Sequence, residues 1–271
     1  EWGSFNIEGS GGKFRNVDPI IDQWQVPVWQ ATSGATYTFN NFASLHFTMA
    51  TGIINPRKGA LTEAGQTPMN ENRSNFDLGY FRNFDKGGKI SASAFWVNRK
   101  NAIEFSGETV ESGENEIMEL YRNVNKHNYG LEVDLKSPVL FNSISFFTNL
   151  TFMKGEIEHD NEWEEDEEMP NVVANLGVNF QKDRLDINTY LNYVGEYEND
   201  RFVSKSYLEE FGKAPLGDYI NFDLTVGYLL GKAKRTRIFA EGKNLFDVNF
   251  QTVPGYPDAG RILSTGISIN F

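Results

Sequence analysis

The residue types best able to do chemistry in this 271-residue chain are gathered in two places. The run Glu156-Ile-Glu-His-Asp-Asn-Glu-Trp-Glu-Glu-Asp-Glu-Glu168 carries nine carboxylates and no Lys or Arg. Carboxylates at that density could hold Ca²⁺, which takes about six to eight oxygen ligands. A calcium loop has ordered ligand spacing and a glycine turn, and this run has neither, so it reads as a solvated acidic loop. The second group is aromatic and cationic. Tyr197, Arg201, Phe202 and Tyr207 surround one long connection, Tyr256 and Arg261 sit by another, and Arg57 and Lys58 lie in a third. Stacking and charge from such residues could cradle an aromatic, anionic small molecule. Arg57, Tyr197, Arg201, Phe202 and Tyr256 are the candidate ligand contacts. Rings near strand ends also form the interfacial girdle of a membrane barrel, and that role competes with ligand contact at each position.

Other chemistry finds no support. His46, His127 and His159 are scattered, whereas a metal site needs converging ligands. Cysteine is absent, so neither thiolate sites nor disulfides are available. There is no Gly-X-Ser-X-Gly elbow, and Ser, His and Asp are merely present. The chain reads as a non-enzyme with no metal and no cofactor of its own. A net charge of -12 argues against a nucleic-acid partner.

These residues must be positioned by strands. Leu224, Val226 and Tyr228 alternate with Asp223, Thr225 and Gly227; Leu185, Ile187, Thr189, Leu191 and Tyr193 alternate with Asp186, Asn188, Tyr190 and Asn192. The same period of two runs through 35–39, 43–49, 76–80, 90–96, 129–135, 144–152 and 174–180. No useful stretch places apolar residues three and four apart, so the chain is all-β. No run of about 18 apolar residues occurs, which excludes a transmembrane helix, but a barrel strand needs only about ten residues with half of them facing a wet lumen. The 22 Phe and 11 Tyr suit lipid contact. In the last segment Leu263, Thr265, Ile267, Ile269 and Phe271 fall on one face, with Ile262, Ser264, Gly266, Ser268 and Asn270 on the other. An apolar face ending on an aromatic ring looks like the closing strand of an outer-membrane β-barrel.

Connections alternate between tight and long. Tight ones are expected at 40–41, 85–88, 137–140, 181–183 and 231–234, and long ones at 9–25, 53–71, 106–126, 159–170, 200–215 and 251–260. An up-and-down antiparallel sheet sorts its short turns to one end and its long loops to the other. About twelve strands are expected, the first of them cut at residue 1. Leu224, Val226, Ile267 and Ile269 should touch lipid, while Asn221, Asp223, Ser268 and Asn270 should face the lumen.

Near the C-terminus the sequence reads Glu241-Gly-Lys-Asn-Leu-Phe-Asp247, then Tyr256-Pro-Asp-Ala-Gly-Arg261, then the last strand. This order resembles the closing signature of TonB-dependent outer-membrane receptors, with Asn244, Leu245, Phe246, Asp247, Pro257, Gly260, Arg261 and Phe271 as the matching residues. Ala259 stands where the family more often has a second proline. The stretches 35–47 and Asn72–Tyr80 look like the middle of the same barrel.

The resemblance implies that residues 1–271 are the C-terminal part of a receptor barrel, about 12 of 22 transmembrane strands, without a signal peptide, TonB box, plug domain or N-terminal strands. It further implies active uptake across a Gram-negative outer membrane, driven by TonB acting on the plug. The partners implied are TonB, outer-membrane lipid and a small-molecule cargo, most commonly a ferric siderophore. Two other readings are open on the residues alone: a passive 12-stranded pore or adhesin, and a secreted β-sandwich that binds glycan or calcium.

Overall fold

Nearly every stretch of period-two alternation is a strand. The computed structural model describes residues 6–7, 23–24, 28–40, 42–84, 87–111, 117–198, 216–232 and 235–270. The strands are β1 (Asn6–Ile7), β2 (Gln23–Trp24), β3 (Gln30–Asn40), β4 (Ala43–Ile54), β5 (Leu61–Thr62), β6 (Glu71–Asn83), β7 (Lys89–Glu111), β8 (Ile117–Lys136), β9 (Ile144–His159), β10 (Glu162–Glu165), β11 (Val172–Lys182), β12 (Leu185–Val194), β13 (Tyr219–Leu230), β14 (Thr236–Lys243), β15 (Gln251–Val253), β16 (Tyr256–Pro257) and β17 (Ile262–Ile269). One sheet runs β17-β14-β13-β12-β11-β9-β8-β7-β6-β4-β3, each strand antiparallel to the next. Spatial order thus follows chain order, as in an up-and-down barrel wall. Among the described residues the wall is open: β3 and β17 each have one neighbour in it.

What the sheet leaves uncovered settles its solvent. Among the described residues the buried apolar side chains are only Ala43, Ala60, Ala102, Leu120, Val124, Ile157, Leu216 and Tyr219. One face of the wall instead exposes Phe47, Phe76, Leu78, Trp96, Leu131, Phe152, Leu176, Val226 and Ile267. Leaving a side chain of this size in water forfeits about 1.5–3 kcal/mol each, so this face requires an apolar medium. The opposite face presents Asn75, Asp77, Ser91, Ser93, Glu132, Asp134, Asn149, Asn175, Asn192, Asn221 and Asp223. Leu224 and Val226 fall on the apolar side and Asn221 and Asp223 on the polar side, as the alternation requires. This is the inverted patterning of a transmembrane barrel.

Glycine keeps the inner face flat. A Cβ on Gly177 would lie 2.2 Å from the Phe147 ring, and one on Gly130 would lie 2.7 Å from the Phe95 ring. Each ring lies over the bare backbone of the adjacent strand instead of projecting into the lumen.

Among the described residues the path of the wall has eleven strands, in keeping with the expected number of about twelve, and Asn6–Ile7 pairs with Gln23–Trp24 in a separate two-stranded ladder. Three sequence expectations change. The expected loop 106–126 is largely strand: β7 reaches Glu111 and β8 begins at Ile117. Its alternation was hidden by shifts of register between Arg99 and Ala102 and between Phe105 and Thr109, with Asn101 at φ 57°. Each shift resets the phase by which a strand is read. The expected acidic loop is a hairpin, closed at Asp160 (φ 52°) and Asn161 (φ 68°), so that β10 lies along β9. Two positive φ values are the requirement of a type I′ turn, which Asp and Asn tolerate. The expected loops 53–71 and 251–260 likewise contain β5, parallel to β8, and the β15–β16 hairpin.

Candidate functional site

The long-connection end of the lumen carries a charged row that the alternation alone did not reveal. Arg73, Arg99 and Lys126 are in register on the inner faces of β6, β7 and β8. Glu71, itself buried, takes Arg99 at 3.0 Å and Arg73 at 2.6 Å. Lys126 has only 2% of its side chain exposed and sends its ammonium to Glu104 at 2.7 Å, Asp166 at 2.9 Å and Glu168 at 3.3 Å. Glu104 is supplied by the extension of β7, while Asp166 and Glu168 follow β10. The lysine therefore ties the acidic hairpin to the wall. Burial pushes the Glu168 carboxyl above the ordinary glutamate range, and the nearby Glu104 and Asp166 add to this against the pull of Lys126.

The acidic run is thus not uniformly solvated. Its β10 carboxylates, Glu162, Glu164 and Glu165, are exposed, while Asp166 is buried against Lys126. Among the described residues no three His, Cys, Asp or Glu side chains converge to hold a metal ion. Lys126 was expected at the end of the loop 106–126; β8 instead extends past it and, continuing the series Asp134, Glu132, Gly130 and Asn128, turns it inward. Its carboxylate partners were equally hidden, because Asp166 is brought to it by a hairpin turn and Glu104 by a register shift.

On the outer face of the same strands, Trp96 stacks with His127 and Tyr129 at 5.2 and 5.3 Å, and Trp163 lies 4.2 Å from His127. Glu156 bonds His127 at 2.5 Å and Lys154 at 3.2 Å. Rings backed by charges directly above Leu131 and Phe152 are the composition of an interfacial girdle.

The described candidate ligand contacts have separate partners. The Arg57 guanidinium pairs with Glu119 at 2.9 Å and lies 4.9 Å from the Tyr121 ring centre, on the extension of β8. Tyr197 donates its hydroxyl to the Thr252 carbonyl at 3.3 Å, which joins it to the hairpin bearing Tyr256, itself 76% exposed. Tyr197 and that hairpin therefore meet, while Arg57 is held by its own partners on β8. Arg201, Phe202 and Phe271 lie outside the described residues.

The closing motif is a clasp. Asn244 sits in the left-handed region at φ 48° and is buried. Its Oδ1 accepts the Val248 N–H at 2.9 Å, its Nδ2 donates to the Val248 carbonyl at 2.8 Å, and its own N–H reaches Asp223 Oδ1 at 2.9 Å. Leu245 bonds back to the Phe222 carbonyl, and the exposed Phe246 ring stacks on Phe222 at 5.3 Å. Asp247 receives the Arg261 N–H at 3.1 Å and its guanidinium at 2.9 Å. Gly260 precedes that arginine at φ 75°, where a side chain would be strained, and Pro257 pairs with Gln251.

The Arg261 backbone N–H, then its guanidinium, holds the Asp247 carboxyl below the ordinary aspartate range. A depressed carboxylate contributes at neutral pH and loses its contribution as pH falls through that lowered value. Asp247→Ala is expected to speed proteolysis within 251–260 at neutral pH, and acidifying the unmodified protein should approach the same rate. Cleavage rates that are equal at neutral pH would show that the clasp does not hold the loop.

An antiparallel wall with a lipid-facing apolar side, a polar lumen side and a charged outer rim defines the class: an outer-membrane β-barrel. Residues 5–245 match the family described as TonB dependent receptor-like, beta-barrel. The chain belongs to that family, whose members are receptors and transporters of the Gram-negative outer membrane rather than enzymes. No curated protein matches the sequence. Among solved structures, the ferripyoverdine receptor of Pseudomonas aeruginosa superposes with a TM-score of 0.69 at 14% identity, covering 93% of this chain and 33% of that one. The copper transporter OprC gives 0.70 at 15% identity, covering 93% and 41%. The siderophore receptor PirA from Acinetobacter baumannii gives 0.62 at 16%, covering 92% and 41%. At these identities the likeness establishes the fold. The chain spans 33% to 41% of the length of these three structures.

Proposed function

We propose that this chain is the C-terminal wall of a receptor for TonB-dependent uptake of a scarce nutrient, with a ferric siderophore or similar chelate as cargo. The observation that carries this is the inverted wall, apolar outside and hydrogen-bonding inside, in a chain that belongs to the TonB-dependent receptor family. The open edges β3 and β17 support a barrel completed by further strands, because unpaired backbone groups are not tolerated in lipid. A plug inside that barrel would engage TonB. Cargo would meet the rim where the long connections gather, with Arg57, Tyr197, Arg201, Phe202 and Tyr256 as contacts. No catalytic step is required of any residue.

In this reading the short turns are periplasmic and the hairpin 251–257 is extracellular. Whole cells bearing a single cysteine should label from outside at Pro257 and stay protected at Lys232; the opposite pattern would reverse the topology. The function itself is tested by restoring iron-limited growth to cells that lack their own receptors. Growth on a ferric chelate that is lost when TonB is deleted supports the proposal, and growth that survives the deletion favours a passive pore.

A further inference from the structure

Resting on the uptake reading, a second feature of the lumen can be given a role. Asn221, Asn192, Asn175 and Asn149 stand in one register row across β13, β12, β11 and β9, and Asp134 of β8 continues it. The row is oblique to the wall. Asp134 lies near the end of β8, beside the short connection to β9, whereas Asn221 lies near the start of β13, where the long connection enters. It therefore climbs from one rim of the wall to the other.

Asparagine is depleted in strands, so four in register are a poor choice for strand stability alone. Nor do they saturate one another. Asn192 Nδ2 and the Tyr190 hydroxyl both donate to Asn175 Oδ1, at 2.8 and 2.6 Å, and Asn149 Nδ2 donates to Asp134. Asn221 Oδ1 is buried with no partner. A carboxamide offers two donors and an acceptor with two lone pairs, so the bonds within the row use only part of its capacity, although the Asn221 oxygen itself is enclosed and not open to the lumen.

The contrast with the rim is chemical. There Arg73, Arg99 and Lys126 are locked to carboxylates, whereas the four asparagines are themselves neutral and meet carboxylates only at Asp134, where the row ends, and at Asp223 beside Asn221. Neutral amides exchange hydrogen bonds readily and set no ionic trap, whereas a charged wall would retain or repel a charged solute. Gly177, with the Phe147 ring lying over it, keeps the surface beside the row low.

We propose that this carboxamide row is the track along which an oxygen-rich chelate passes from the outer rim toward the periplasmic rim, exchanging hydrogen bonds from one asparagine to the next. The row governs passage and not initial capture.

The test uses the complete receptor in cells, with ferric enterobactin and ferripyoverdine as probes. Asn149, Asn175 and Asn192 are replaced together by alanine or together by serine. Binding is measured with the proton gradient collapsed and uptake with it intact. The alanine variant is expected to bind within about twofold of the unmodified receptor and to take up chelate about tenfold more slowly, while serine, which keeps a donor and an acceptor, restores most of the rate. Unchanged uptake, or binding reduced as much as uptake, overturns the proposal. A second arm needs no cargo. Single replacements Asn221→Cys, Asn192→Cys, Asn175→Cys and Asn149→Cys are exposed to a membrane-impermeant thiol reagent, and all four should react faster when the gradient is intact. Reaction confined to Asn221→Cys, or insensitive to the gradient, overturns the track. If the unmodified receptor takes up neither chelate, the uptake reading suffers, and the cysteine series still decides whether the row lines an opening path.

Discussion

Replacing Lys126 with methionine is expected to destabilise the barrel wall by about 3–5 kcal/mol, the cost of removing one partner from a buried ion cluster. The ammonium is the shared counter-ion of Glu104, Asp166 and Glu168, and truncation leaves Glu104 and Asp166 buried without it. Adding Glu104→Gln and Asp166→Asn to Lys126→Met should recover most of the loss, because neutral amides tolerate burial without a cation. Unfolding of the complete receptor, followed by denaturant titration, measures both changes; a triple variant no more stable than the single one would show that packing of the lysine stem, and not charge, is at stake. The pH dependence has a definite sign. Glu168 is held above the ordinary glutamate range, so between that range and its raised value the folded protein binds a proton that the unfolded chain releases. Stability from this group is present below the window and is lost as pH rises through it. Glu168→Gln should remove that part of the slope. In Lys126→Met the cationic pull on Glu168 is gone, so acidification should narrow the deficit.

How much of this was legible depended on whether a feature obeyed the strand period or departed from it. Strands such as β12 and β13 were readable nearly to the residue, because alternation runs through 185–193 and 220–228, almost the whole of Leu185–Val194 and Tyr219–Leu230. The inner and outer faces of these strands followed at once. The upper ends of β7 and β8 were not readable, since two register shifts reset the phase around Asn101 and Ser106 and made a pair of long strands look like a loop. The acidic hairpin failed for a related reason. Nine carboxylates suggest solvation, and only the turn at Asp160–Asn161 reveals that the run folds back on β9 and delivers Asp166 to a lysine forty residues away in sequence. The closing motif was recognised as a string of residues, but its physical content is the left-handed Asn244 clamping Val248 and Asp247 gripping Arg261. Pairing across such distances in sequence has no local signature. The candidate contacts lie on three separate connections, and only the structure shows that Tyr197 meets the hairpin bearing Tyr256 while Arg57 is drawn to Glu119 and Tyr121 on the extended β8.

Arginine at Val226 is expected to cost about 2–4 kcal/mol, whereas arginine at the adjacent Thr225 should cost less. The two positions share one stretch of β13 and differ only in face. Val226 opposes Ala240 and Ile187 on the lipid side; Thr225 opposes Glu241 and Asn188 on the lumen side, where an arginine finds a carboxylate. A protein partner covering the outer face could also penalise Val226→Arg, so the pair alone does not identify lipid. Depth separates them. Ile220 lies on the same outward face near the start of β13, and in a bilayer arginine there should cost only about 0–1 kcal/mol, because its guanidinium can reach the headgroup water. A covering protein surface has no such gradient, since burial under a partner does not ease smoothly toward one end of a strand. Unfolding of the three variants in lipid vesicles should therefore rank Val226→Arg well above Ile220→Arg and Thr225→Arg. Equal penalties at Val226 and Ile220 would mean that the outer face of this wall is covered by something other than a membrane.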